Sequence, residues 1–250
     1  MKRSRAKIGT VITVEITDNS AREEAIEKIF SYFEDIEKRF SIFDPQSEIS
    51  LINNGMLKEE EWSPEMIEIF ALAEKTRMES NGYFNILTPA GNYNPSGIVK
   101  GWAILNASKM LLSMGFKNFY VDAGGDIQIH GKNKSGVPWS VGIKNPFNQE
   151  QIVKVIYPGN RGIATSGTYI RGQHIYNPLD METAITEIVS ITVIGPDVCE
   201  ADRFATAAFA MGKKGIYFIE ETDGLEGYLI DDKGIGTSTS GFAKYTEYKS

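Results

Sequence analysis

Cysteine is almost missing from this chain. Cys199 is the only one in 250 residues, so no internal disulfide can form. With no cysteine near the N-terminus, a lipid anchor there is not expected. Histidine is scarce as well, with only His130 and His174. No apolar run approaches the roughly 20 residues of a membrane span. Basic charge is in deficit: 26 Lys and Arg against 33 Asp and Glu leave a net charge of -7, which argues against nucleic acid or an anionic membrane as a general partner. Repeats, low-complexity tracts and a clear linker are absent. Met1 to Lys7 is basic, but Ile8 to Ile16 alternates apolar with polar residues. That pattern predicts a strand, not the apolar core of a signal peptide. The expectation is a cytoplasmic protein with no membrane anchor.

What is present is an ordinary globular composition, long enough to bury roughly three quarters of the unfolded chain's surface. Val11 to Ile16 alternates and is β-branched. Ala21 to Phe40 places Ile26, Ile29, Phe30, Phe33, Ile36 and Phe40 at helical spacing, with acids on a solvated opposite face. Phe43 to Ser50 is turn-rich. Ser63-Pro64 opens a helix that runs to about Ser80 and ends at Asn81-Gly82. Strands are expected at 118–122, 127–130, 139–143, 152–157, 190–194 and, last, 227–230. Gly162 to Gly167 leads from a strand into a small polar turn, residues 217 onward form a short helix or strand, and 238–250 is a polar tail. Mostly sequential hairpins with helices clustered early and late imply an α+β fold, mainly antiparallel sheet flanked by helices, with residues 1–250 as one domain.

Three stretches carry chemistry. Glu200 to Met211 is alanine-rich and reads as a buried helix. Asp202 and Thr206, four residues apart, project from one face of it. On spacing alone two readings stand: hard oxygen ligands for Mg²⁺ or Ca²⁺, or a carboxylate favoured by the helix dipole beside a threonine bonding its own backbone. In the second stretch Ser96-Gly97 precedes a helix, leaving backbone N–H groups at an anion-binding end. Lys100 lies in the first turn, where the dipole disfavours a cation. It either neighbours a phosphate or is simply solvated. In the third, Ala123-Gly124-Gly125-Asp126, paired glycines allow positive φ and close approach of a ligand or another backbone. His174 follows the polar turn, and His130 at a strand end is structural.

The order of these motifs resembles the ApbE family, the FAD:protein FMN transferases, over nearly the whole chain. Ile8-Gly9-Thr10 is similar to the family's Met-Gly-Thr, and Phe43 to Asn53 to its Tyr-x-Pro-x-Ser-Glu-x-Ser-x-x-Asn. Gly82-Tyr83-Phe84-Asn85 resembles Gly-x-Phe-Asp, and Pro95 to Ala103 the central Lys-Gly-aromatic-Ala segment. Ala123 to Asp126, Trp139 to Pro146 and Ala164 to Gly167 follow in family order. His174-Ile175-Tyr176-Asn177-Pro178 resembles His-x-x-Asp-Pro, and Ala201 to Ala207 resembles Ala-Asp-x-x-Ala-Thr-Ala.

The resemblance implies two lobes with a flavin-binding cleft between them. It implies cleavage of FAD at its pyrophosphate, transfer of FMN to a threonine hydroxyl of a client protein, and release of AMP. It implies Mg²⁺ held by Asp202, Thr206 and the carbonyl of Gly97, with Asp202 and His174 as catalytic residues, His174 activating the acceptor. FAD would be bound by Ile8, Phe43, Tyr83, Phe84, Asn85, Asn94, Lys100, Gly124, Gly125, Asp126, Ile175 and Tyr176. Ile8 stands where the family has Met, and Asn85, Asn94 and Asn177 stand where many members have Asp. The chain is also shorter than many members. The amides motivate an alternative, an FAD carrier or scavenger without transfer. A second alternative is an FAD pyrophosphatase with water as acceptor.

Overall fold

Alternating side chains build one large sheet. The computed structural model describes residues 1–168, 175–180 and 182–247. Its strands are β1 (Lys2–Lys7), β2 (Thr10–Ile16), β3 (Phe119–Ala123), β4 (Asp126–His130), β5 (Val141–Asn145), β6 (Asn148–Ile156), β7 (Gly162–Gly167), β8 (Ile188–Gly195), β9 (Glu226–Asp231) and β10 (Gly236–Ser238). Eight of them form an antiparallel sheet in the order β1-β2-β3-β4-β7-β8-β9-β10, and β5 and β6 pair separately. The helices are α1 (Glu23–Phe40), α2 (Glu48–Asn53), α3 (Pro64–Glu79), α4 (Ser96–Ser113), α5 (Val198–Ala210) and α6 (Gly215–Glu221). This is the α+β architecture expected from the sequence.

The period of two sorts the sheet's faces. Ile12, Val14 and Ile16 of β2 with Phe119, Val121 and Ala123 of β3 pack against α1, α3 and α4. Ala164, Ile191 and Val193 pack against α5 and α6. On the opposite face, Ile163 and Ile194 meet Ile143 and Ile156 of the β5–β6 hairpin, with Phe242 and Tyr245. Helix ends follow local chemistry. Ser63 caps α3 by accepting the Met66 N–H, Pro64 occupies its first position, and Asn81 and Gly82 beyond its end have φ of 52° and 86°.

Several expectations are corrected. Lys2–Lys7 is a strand whose side chains are almost all exposed, so no alternation marks it. Its basic residues pair with acids of α1 whose side chains stay 43–45% exposed, so that face is solvated as expected. Arg3 pairs with Glu23, Arg5 with Glu27 and Lys7 with Glu34. Phe43 to Ser50 is not all turn, because Ser47 caps α2 by accepting the Ser50 N–H. Gly162–Gly167 is itself a strand, pairing with β8 along its whole length. Neither is β9 the last strand: β10 follows it, and the polar tail holds a short 3₁₀ turn, Phe242–Tyr245, with both end residues buried.

Candidate active site

Two helices that touch closely build the centre. All of α5's 13 residues except Glu200 and Thr206 are buried, and its alanines keep that surface low. Asp197 caps it by accepting the Glu200 N–H at 3.0 Å. Buried Gln128 of β4 accepts the Val198 N–H at 2.9 Å, pinning the helix start to the sheet. Across from it, α4 presents glycines four residues apart. A Cβ on Gly101 would lie 2.6 Å from the Asp202 Cβ and 2.8 Å from the Val198 carbonyl oxygen, so only glycine fits. The close approach lets the Gly101 N–H donate to Asp202 Oδ2 at 2.8 Å. One turn along, the Thr206 hydroxyl donates to the Gly97 carbonyl at 3.3 Å. Thr206 therefore bonds across to α4, not to its own helix, and Asp202 lies beyond the first turn of α5, whose acid is Glu200. The purely local reading of the pair fails.

Charge then gathers at this contact. The Lys100 ammonium lies 2.6 Å from Asp126 Oδ2 and 3.9 Å from Asp202 Oδ1. Both carboxylates are buried, at 1% and 3% exposure, so Lys100 is no solvated lysine. Asp126 is held from its other side, where Oδ1 accepts the Thr165 N–H at 3.0 Å. Burial pushes the Asp202 carboxyl above the ordinary carboxylate range; Lys100 opposes that rise and Asp126 adds to it. At the α4 entry one expected free donor is occupied, since Asn94 Oδ1 accepts the Ser96 N–H.

A cleft opens over this centre. From the expected residues its lining takes Tyr83, Phe84, Asn85, Asn94, Gly97, Lys100, Gly124, Ile175, Tyr176, Asp202 and Thr206. Gly124 and Gly125 have φ of 65° and 101°, and a Cβ on Gly124 would strike the Thr10 hydroxyl, so the tight β3–β4 turn needs glycine there. Gly125 and Asp126 are not among the lining residues: Gly125 is exposed at the turn, donating its N–H to Asp122, and Asp126 is buried beneath Lys100. Ile8 forms the β1–β2 turn with φ of 46° and packs against the helical core. Phe43 is not brought to the cleft; it is 91% exposed, beside Lys7, Glu34 and Asp44. His174 lies outside the described residues, although Gly167 before it and Ile175 after it both line the cleft. The lining also holds Ser96 of the expected helix entry, Thr10, Thr165 and Ser166 of the quoted motifs, and Thr88, which carries no charge or helical spacing to single it out in sequence.

Residues 8–92 and 91–229 match the sequence profile of the ApbE family. The chain belongs to the ApbE family. A stretch of 144 residues is 35% identical to the FAD:protein FMN transferase of Vibrio cholerae, covering 54% of this chain and 43% of that protein. A stretch of 167 residues is 32% identical to the enzyme of the same name from Haemophilus influenzae, covering 62% and 48%. The matched stretches thus span less than half the length of these curated relatives. The fold is shared in full: the flavin transferase ApbE from Vibrio cholerae superposes with a TM-score of 0.86 at 22% identity over 98% of both chains. An ApbE protein from Thermotoga maritima does so with 0.88 at 20% identity over 99% of both.

Within the ApbE frame, the amides are informative. Asn85 Oδ1 accepts the Leu87 N–H at 2.9 Å, Asn94 Oδ1 the Ser96 N–H at 3.1 Å, and Asn177 Oδ1 the Leu179 N–H at 2.9 Å. Each closes a turn two residues on, a bond that an aspartate makes equally well. Replacing Asp by Asn at these places keeps the loops and removes charge. As for a metal, no group of three or more His, Cys, Asp or Glu among the described residues is arranged to hold one. The donors that do converge are one carboxylate, one hydroxyl and one backbone carbonyl. That small all-oxygen set fits Mg²⁺, which keeps waters and phosphate oxygens in its shell.

Proposed function

We propose that this chain transfers FMN from FAD to a threonine hydroxyl of a client protein, releasing AMP, in a Mg²⁺-dependent reaction. One observation carries the reading. The Gly97 carbonyl, the Asp202 carboxylate, the Thr206 hydroxyl and the Lys100 ammonium line one cleft. Relatives from Vibrio cholerae and Haemophilus influenzae bear the name FAD:protein FMN transferase, which supports it. In this reading the cleft lies between two lobes, and residues 1–250 work as one domain.

Phosphoryl transfer depends chiefly on positioning and charge neutralisation. Asp202, Thr206 and the Gly97 carbonyl would hold the cation, which, when bound, neutralises pyrophosphate charge. Lys100 neutralises a further phosphate oxygen. The turns closed by Asn85 and Asn94 set the wall beside Tyr83 and Phe84. The threonine Oγ attacks the FMN-side phosphorus; that O–P bond forms as the bridging P–O bond to AMP breaks. AMP leaves with the electron pair, and the threonine proton passes to a base, a role we assign to His174. Because the three amides keep their turns, they do not dismantle the site, and transfer stands ahead of a carrier role.

The test is incubation with FAD, Mg²⁺ and a threonine-bearing client peptide, read by mass spectrometry. Transfer yields peptide carrying FMN and one AMP per modified peptide. Free FMN with AMP and unmodified peptide would mean a pyrophosphatase, and intact bound FAD would mean a carrier.

A further inference from the structure

Lys100 occupies ground that a divalent cation would need. Its ammonium is 3.9 Å from Asp202 Oδ1, the carboxylate assigned to the cation, and 2.6 Å from Asp126 Oδ2. Neither acid is free to turn away. Asp202 Oδ2 is tied to the Gly101 N–H at 2.8 Å, and Asp126 Oδ1 to the Thr165 N–H at 3.0 Å. The side chains of Asp126 and Asp202 are 1% and 5% exposed against 21% for Lys100, so the lysine is the most exposed of the trio, beside Asp202 on the cleft wall. Two carboxylates and one ammonium leave a single negative charge, little to attract a dication into a buried place. Like charges at such a separation repel strongly where water is scarce. A pyrophosphate changes the balance by bringing its own negative charge to both cations.

We propose that Lys100 is a resident counter-ion that makes divalent-cation binding conditional on a phosphate-bearing ligand, with Asp126 as the positioning residue that holds it beside Asp202. This rests on the reading of Asp202 as a cation ligand. Cation and pyrophosphate then enter together, and by linkage each tightens the other by the same factor.

Mn²⁺ binding, followed by the loss of its free-ion paramagnetic resonance signal, tests this without turnover. ADP serves as the pyrophosphate probe, with Mn²⁺–ADP formation in solution subtracted. Wild type should bind Mn²⁺ about 5- to 150-fold more tightly with saturating ADP than without it. K100M and K100Q should bind Mn²⁺ roughly tenfold or more tightly than wild type in the absence of nucleotide, and their dependence on ADP should shrink. K100R keeps the charge and should restore the weak, ADP-dependent binding. Two neutral variants guard against one that misfolds, as judged by circular dichroism. Folded K100M or K100Q binding nucleotide-free Mn²⁺ no better than wild type would overturn the proposal. If D202N still abolished binding in that case, the cation site itself would stand. If wild type bound no Mn²⁺ with or without ADP, both readings would fall together.

Discussion

Two neighbours on α5, Asp202 and Arg203, are both buried, at 3% and 1% exposure, yet their surroundings differ in kind. They diverge by about 100° around the helix. Arg203 points at the end of α3. Its Nε and Nη2 donate to Glu200 at 2.9 and 2.6 Å, and Nη1 donates to Thr76 at 3.2 Å and to Glu79. Lys75 stands 3.7 Å from Glu79, so two acids are balanced by two bases, and the guanidinium lies 4.0 Å from the Phe204 ring centre. Asp202 faces the cleft, where two acids share one lysine. A buried charge with a full set of partners ties elements together. A buried charge left in surplus at a cleft is a place for a ligand. The same helix serves both purposes because its two faces meet different helices.

Mutations on the two faces should separate accordingly. The largest effect belongs to Asp202→Asn. Amide oxygen still accepts the Gly101 N–H, and a carboxylate beside Asp126 is gone, so the melting temperature should hold or rise. Mg²⁺-dependent transfer should fall by about a thousandfold or more, the scale of charge neutralisation in phosphoryl transfer. Arg203→Ala should do the reverse. Leaving the partly exposed Glu79 and Glu200 without the guanidinium should cost about 1–3 kcal/mol of stability, read by urea unfolding, while the molecules still folded keep their Mn²⁺ affinity. Gly101→Ala should blur the contrast. Its Cβ would push α4 off Val198 and Asp202, costing about 1–3 kcal/mol and weakening Mn²⁺ binding together. The smallest effect lies far from α5, at His130, whose ring centre lies 5.0 Å from that of Phe119 at a tilt of 39°. Burial lowers its pKa below the ordinary 6.5, so below that pH the unfolded chain binds a proton that the folded chain refuses. Stability should therefore decline as pH falls through 6.5, with a slope of at most about one proton. His130→Phe should flatten that part of the profile.

What could be read in sequence follows from how each element is buried. Because α5 is buried nearly all round, its alanine-rich run announced it. Strands with one wet face showed alternation. The edge strand β1 is wet on both faces and showed only charge. The polar end of β7 reads as a turn in sequence because its small residues answer to neighbours: a Cβ on Gly162 would collide with the backbone at Val198, and Thr165 meets Thr192 side chain to side chain at 2.9 Å. The spacing of Asp202 and Thr206 was visible, but what distinguishes them from a local pair is α4, more than a hundred residues upstream. Of Arg203's partners only Glu200 is local; Thr76 and Glu79, which tie it to α3, are as distant in the chain, so nothing in sequence marks that contact. Phe43 was placed by motif order, and its exposed position depends on the loop between α1 and α2.

One paired measurement separates the two faces of α5: Mn²⁺ titration with ADP on wild type, Asp202→Asn and Arg203→Ala, each with its unfolding midpoint. Asp202→Asn should lose Mn²⁺ binding at undiminished stability, and Arg203→Ala should lose stability at undiminished affinity per folded molecule. Full Mn²⁺ affinity in a folded Asp202→Asn, or loss of affinity in folded Arg203→Ala at wild-type stability, would contradict this division.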